Sequence, residues 1–107
     1  SGKLPLWLAP TQISILTVTE EVNEYAFSLK EKFDEINLRV ELDNRNEKIG
    51  YKIREHSNAK VPLMAVIGKD EMEANTISIR NLSENKTNTY SIDEAVLLLE
   101  ASSSTPR

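Results

Sequence analysis

Val61-Pro62-Leu63-Met64-Ala65-Val66-Ile67 restricts the fold of this chain more than any other segment, because no charged side chain interrupts it before Gly68 closes it. An apolar run this short, bounded by glycine, reads as a strand buried on both faces, the usual state in a parallel sheet covered by helices. Proline at the second position confines itself to the strand's beginning. The remaining chain must therefore supply further strands beside this one and helices for its two faces.

The flanking patterns do so. Gln12 to Val18 is dominated by branched residues and reads as a strand. Thr19 follows as a helix N-cap, with Glu20 and Glu21 complementing the helix dipole in the first turn. Val22, Tyr25, Ala26, Leu29, Phe33 and Ile36 recur three and four residues apart, which places them on one helix face. Asn37 is suited to the left-handed conformation that ends such a helix. Leu38 to Asp43 alternates as a half-buried strand does, and Asn44 and Glu47 have capping-box spacing for a helix over Glu47 to Ser57. Thr76 to Leu82 predicts a fourth strand with Ile77 and Ile79 inward and Ser78 and Arg80 outward. Ser83 to Asn88 reads as a turn, Thr89-Tyr90 as a short fifth strand, and Ser91 with Glu94 as a capping pair for a last helix through Leu99. The order predicts an α/β, three-layer domain with a mixed, about five-stranded sheet flanked by three helices. Residues 1–100 form this domain, and Ala101 to Arg107, rich in Ser and Thr, reads as a disordered tail.

Composition removes several function classes. The 107 residues contain no cysteine, so there is no disulfide, thiolate zinc site or Cys nucleophile. No apolar run is long enough to span a membrane, and Ser1 to Pro5 does not read as the start of a signal peptide, so a cytoplasmic setting is expected. Phosphate-loop, dinucleotide-binding and HExxH patterns are missing, and no metal-ligand cluster is evident. The lone histidine, His56, stands late in a helix beside Ser57, where the two side chains diverge; it reads as a solvated residue favouring the helix dipole. A net charge of −4 disfavours a general binder of DNA or RNA, so any contact with nucleic acid must be local.

One segment is locally basic. Between Arg45 and Lys60 stand Arg45, Lys48, Lys52, Arg54 and Lys60 against only Glu47 and Glu55. Lys48 and Lys52 are one helical turn apart and so share a face, while Ile49 and Ile53 share an adjacent one that can pack on the sheet. Gly50 is unusual, since glycine inside a helix costs roughly 1 kcal/mol relative to alanine. It signals close approach of another backbone, either a strand below or RNA above. A solvated amphipathic helix with a packing glycine explains the same residues without any ligand.

The run Asn44-Arg45-Asn46-Glu47-Lys48-Ile49-Gly50-Tyr51-Lys52-Ile53-Arg54-Glu55 resembles a signature of threonyl-tRNA synthetases, R-N-E-K-I-G-[FY]-K-I-R-E. Trp7-Leu8-Ala9-Pro10-Thr11-Gln12 is similar to the W-L-A-P-x-Q start of their C-terminal domain, and Val61 to Met64, Gly68 to Glu71 and Ile79-Arg80 follow in the expected order. The likeness runs from about Leu4 to Leu99. This chain departs from the pattern at Leu63, where an aromatic is common, at Asn37 and Asn75, where glycine is common, and at Asn81-Leu82, where a second basic residue is often present.

The resemblance implies a domain that grips the anticodon loop of threonine tRNA and is not itself catalytic. ATP, magnesium and zinc are then cofactors of a catalytic part outside this chain, and the parent protein is a homodimeric threonine–tRNA ligase. The family's base-reading positions fall on Asn46, Glu71 and Arg80, with Lys48 and Arg45 beside them. The chemistry suits the anticodon, whose second and third bases are G and U. Guanine offers O6 and N7 to an arginine and its N1–H and N2–H to a carboxylate, while uracil suits an asparagine amide. Trp7 and Tyr51 are further candidates for stacking. Taken singly, Glu71 in its acidic run is also an ordinary solvated turn residue, and Arg80 an ordinary surface arginine. A non-catalytic interaction or dimerisation module on the same fold is the alternative; a small hydrolase lacks the residues.

Overall fold

The computed structural model describes residues 10–103. Its elements in chain order are β1 (Ile13–Thr17), a single 3-10 turn (Glu20–Val22), α1 (Asn23–Glu35), β2 (Val40–Asp43), α2 (Ile49–Asn58), β3 (Leu63–Ile67), α3 (Lys69–Ala74), β4 (Thr76–Asn81), β5 (Lys86–Ser91) and α4 (Ile92–Ser103). The five strands make one mixed sheet in the order β2-β1-β3-β4-β5. β1 pairs in parallel with β2 and β3, while β3–β4 and β4–β5 pair antiparallel.

Strand alternation assigns each side chain to a face. Ile13 and Ile15 stand beside Val40 and Leu42 on one side and beside Leu63 and Ala65 on the other. With Ile67, Ile77 and Ile79 they form the main core, closed by Ala26, Leu29 and Phe33 of α1 and by Ala95 and Leu99 of α4. The opposite face carries Ser14, Leu16, Asp43, Met64, Val66, Ser78 and Arg80, and α2 lies over its β1–β2 part. Two helices below, one sheet and one helix above make the expected three layers. β3, in the middle of the sheet, buries Ala65 and Ile67 on one face and Met64 on the other, with Leu63 and Val66 half-buried, in keeping with its unbroken apolar run.

Asn37 and Asn75 hold φ of 62° and 56°, the left-handed conformation expected where glycine is common. At the start of α4 the Glu94 N–H donates to Ser91 Oγ (3.2 Å) and the Ser91 N–H to Glu94 Oε1 (3.3 Å), a reciprocal capping box as the sequence spacing predicts. The Asn44–Glu47 pair makes no such box. α2 starts later, at Ile49, with Lys48 as an N-cap that makes no side-chain bond. Thr19 is extended at its N-cap position but likewise makes no cap bond.

Two elements differ from the sequence pattern. α3 is a fourth helix where the acidic run reads as a turn; with six residues and only Met72 packed against the core, it has no legible period. β5 is six residues rather than two, because both its faces are wet and Lys86 to Thr89 are all exposed. The turn before it is tight: Asn81 Oδ1 accepts from the N–H groups of Ser83 and Glu84 (3.0 and 3.2 Å), and Asn85 sits at φ 53°. α4 continues to Ser103, past Leu99; residues 104–107 and Trp7 lie outside the described residues.

Candidate nucleic-acid interface

α2 sets its sheet-facing stripe with two polar side chains. Lys52 and His56, one turn apart, are 1% and 6% exposed, and Ile49 and Ile53 are only half-buried beside them. The Lys52 ammonium donates to the Thr17 carbonyl (2.8 Å), to Thr17 Oγ1 (3.3 Å) and to the Asp43 carbonyl (3.4 Å), so it bridges the carboxyl ends of β1 and β2. Burial pushes its pKa down, partly offset by the Asp43 carboxylate. Lys52 is thus a structural lysine, not part of a basic surface, a correction to its expected exposure beside Lys48. His56 is corrected in the same way: it is buried, with Nε2 2.9 Å from Asp43 Oδ2.

Asp43 collects donors at the end of β2. Arg45 grips it with two guanidinium bonds, Nε to Oδ1 (2.9 Å) and Nη2 to Oδ2 (2.8 Å), and the Arg45 N–H adds a third to Oδ1 (3.3 Å). These bonds, the Arg45 guanidinium first, hold the Asp43 carboxyl well below the usual carboxylate range despite burial. Arg45 Nη2 also donates to Glu55 of α2, whose pKa is lowered by that bond. The guanidinium lies 5.9 Å from the centroid of the Tyr51 ring. Tyr51 is itself 48% exposed rather than packed, and a hydrogen bond to Glu55 raises its phenol pKa.

This network leaves Asn44 to Lys48 as a short irregular connection held at its base, with Asn46 and Lys48 exposed at its tip. Neither side chain has a hydrogen-bond partner among the described residues. Of the five basic residues counted in this segment, Lys52 is buried and Arg45 is paired, so Lys48, Arg54 and Lys60 are the exposed cations that remain without an ion pair among the described residues. The positive patch is smaller than the sequence suggests.

Gly50 also reads differently in three dimensions. A Cβ built there meets no atom within 4 Å, so no strand approaches it from below. Gly50→Ala is therefore expected to stabilise the fold by about 0.5–1 kcal/mol, visible as a higher melting temperature. An unchanged or lower melting temperature would contradict the open geometry.

The second group lies across the sheet. After β3, Gly68 opens α3 and Glu71 turns back to it, its Oε1 accepting the Gly68 N–H at 2.7 Å. Glycine has no side chain to return the bond, so this is half of a capping box. The tight geometry has a cause: a Cβ at Gly68 would stand 3.2 Å from that same oxygen. Glu71 Oε2 accepts from Ser78 Oγ of β4 at 3.1 Å. Two residues along the same strand face, Arg80 projects beside Ser78, its Nη2 held by Asn85 Oδ1 of the following turn at 2.8 Å. Helix α2 does not reach this part of the sheet, so Ser78, Arg80, Thr87 and Thr89 present a polar, solvent-facing strip.

Asn46 and Lys48 follow β2 and Glu71 follows β3; both groups stand at the carboxyl edge of the parallel strands, where α/β sheets bind ligands. β2 and β4 are three strand spacings apart, about 14 Å. Donors and acceptors are thus spread along a line and do not converge on a pocket, which suits an extended polar ligand.

A family profile described as "Anticodon binding domain" matches residues 12–102. The chain belongs to that family. It is 54% identical over 99 residues to the threonine–tRNA ligase of Ehrlichia canis and 44% identical over 106 residues to that of Caulobacter vibrioides. These alignments cover 92% and 99% of this chain but 16% of each relative, so the chain spans about a sixth of their length. The solved RNA binding domain of threonyl-tRNA synthetase from Cryptosporidium parvum superposes with a TM-score of 0.89 at 28% identity, covering 94% of this chain and 26% of the other. The mixed five-stranded fold read from the sequence is the fold of that domain.

Sequence reasoning passed over three partners in this anticodon-binding domain. Asn85 braces Arg80 and Ser78 meets Glu71; only the two-residue alternation on β4, which puts Ser78 beside Arg80, hinted at the second. The Asp43–His56 contact spans 13 residues and has no local signal. Asp43, Glu55 and His56 also bring three ligand atoms within 4.8 Å of one another, but the Arg45 guanidinium already bonds both carboxylates there. A groove between α1 and α4, lined by Lys32, Glu35, Ile36, Asp93, Val96 and Leu97, opens on the opposite side of the sheet. No helix among the described residues is long and apolar enough to cross a membrane.

Proposed function

We propose that this domain reads the anticodon loop of threonine tRNA for a larger threonine–tRNA ligase. The observation that carries the reading is a spread of unpaired or half-committed polar groups: Asn46, Lys48 and Glu71 at the carboxyl edge of the parallel strands, and Arg80 on the open strip of β4 that runs back from Glu71. Splayed single-stranded bases are recognised by such groups on their Watson–Crick and Hoogsteen edges. Arg80 presents a braced guanidinium to a guanine, Glu71 a carboxylate to base N–H groups, and Asn46 an amide that both donates and accepts. Lys48 adds charge for the backbone, and the half-exposed Tyr51 ring, near the Arg45 guanidinium, offers a stacking surface. The net charge of −4 fits a contact limited to this edge.

The names of the relatives support a threonine–tRNA ligase as the parent protein, and we extend the proposal to a cytoplasmic homodimer with ATP, magnesium and zinc held outside this chain. RNA, not DNA, is the partner. The test is fluorescence anisotropy of labelled anticodon stem-loops, comparing the threonine loop with one altered at its second anticodon base. The wild-type chain prefers the threonine loop. Arg80→Ala and Asn46→Ala each reduce that preference about 5- to 150-fold, the range of about 1–3 kcal/mol for a good base contact. Equal binding to both loops by the wild-type chain would leave only electrostatic attachment and end the base-reading assignment. Absence of binding by a folded chain would favour the protein-interaction alternative.

A further inference from the structure

We propose that Arg45 is a positioning residue, tying the connection that carries Asn46 between Asp43 and Glu55, and that this tie sets how sharply the domain distinguishes anticodon bases. The inference rests on the anticodon-reading function proposed above. It replaces a direct RNA contact for Arg45 by an indirect one.

The geometry at Arg45 is the reason. Its guanidinium bonds the carboxylates of Asp43, at the end of β2, and of Glu55, two turns into α2. Its N–H donates to Asp43 Oδ1 and its carbonyl accepts the Glu47 N–H at 2.8 Å. Backbone and side chain are therefore both engaged one residue before Asn46, in a stretch with no helix or strand of its own. Asp43 is held from the other side by buried His56, so the tie ends in the packed part of the fold. A base-reading amide is useful only if its direction is fixed before binding, and nothing else among the described residues fixes Asn46.

Glu55 separates this role from simple electrostatics. An acidic residue beside an RNA-facing edge weakens binding if charge is all that matters, and its removal should then tighten every complex. As the far anchor of the Arg45 tie, its removal should instead cost discrimination. Lysine at position 45 is equally diagnostic, because it keeps the charge but has no planar fork to bridge two carboxylates.

The experiment compares wild type, Arg45→Lys and Glu55→Gln for binding to the threonine stem-loop and its second-base variant, over about 50 to 200 mM salt. Circular dichroism confirms that each is folded. We expect both substitutions to lower the loop preference about tenfold while the slope of log affinity against log salt stays as in wild type. Preserved preference in Arg45→Lys, or uniformly tighter binding by Glu55→Gln, overturns the proposal. So does an Arg45→Ala slope that is smaller by about 0.7, the signature of one lost phosphate contact. If the wild type shows no preference, the function itself fails and takes the specificity claim with it. Amide exchange without RNA then judges the tie alone: faster exchange at Arg45 and Glu47 in Arg45→Lys supports it, and unchanged exchange removes it.

Discussion

Asp43→Asn will lower the unfolding free energy by about 2–4 kcal/mol, although it changes one oxygen to a nitrogen and leaves the volume alone. The carboxylate is 5% exposed and accepts from the Arg45 guanidinium twice and the Arg45 N–H once, with His56 Nε2 against its other side. An asparagine keeps one acceptor and turns an NH2 toward groups that also donate. Arg45 is half-exposed and can recover water, which keeps the loss below that of a fully buried pair. Urea unfolding at pH 7 measures it, and an unchanged midpoint would mean that the network adds nothing.

The same substitution has a pH signature. The folded pKa of Asp43 lies below its unfolded value, so its contribution is fully present above the unfolded pKa, about 4. It is lost as pH falls below that value, because the unfolded chain then takes up a proton that the folded one refuses. Wild type should therefore lose stability steadily below about pH 4, and Asp43→Asn should show a correspondingly shallower acid limb. Parallel acid limbs would place the acid sensitivity elsewhere.

The outcome at Asp43 marks the boundary of what a sequence reveals. Everything governed by period was legible: β1 to β4, α1 and α4, the left-handed asparagines and the Ser91–Glu94 box follow from alternation, helical spacing or a three-residue interval. α3 and the first half of β5 were not, because one is a single short helix with little buried surface and the other is an edge strand whose two wet faces show no alternation before Thr89-Tyr90. Within the candidate interface, Asn46, Glu71 and Arg80 came from a resemblance; Asn46 and Glu71 lie at the carboxyl edge and Arg80 on the open strip of β4. What could not be read was which charges turn inward. Local counting treats Arg45, Lys48 and Lys52 as one basic group, whereas the fold gives each a different environment: one tied to carboxylates, one exposed, one buried. That difference depends on where β1 and β2 end relative to α2, a long-range relation with no local trace.

Lys52 gives the sharpest test of that separation. Lys52→Ala will destabilise the domain by about 3–5 kcal/mol, adding the loss of a buried four-carbon stem to the loss of the donor shared by the Thr17 and Asp43 carbonyls. Lys52→Met keeps the stem and removes only the ammonium, so its cost should be about 1–3 kcal/mol. The gap between the two variants measures the packing part, and the methionine variant measures the price of leaving strand-end carbonyls unsatisfied. A surface lysine touching RNA would behave in the opposite way, changing stability by less than about 0.5 kcal/mol while reducing the salt slope of RNA binding by about 0.7. Thermal and urea unfolding, read beside the salt series, therefore distinguish a lysine that holds the sheet's carboxyl edge together from one that meets a phosphate. A stable Lys52→Met variant with a reduced salt slope would return this residue to the RNA surface.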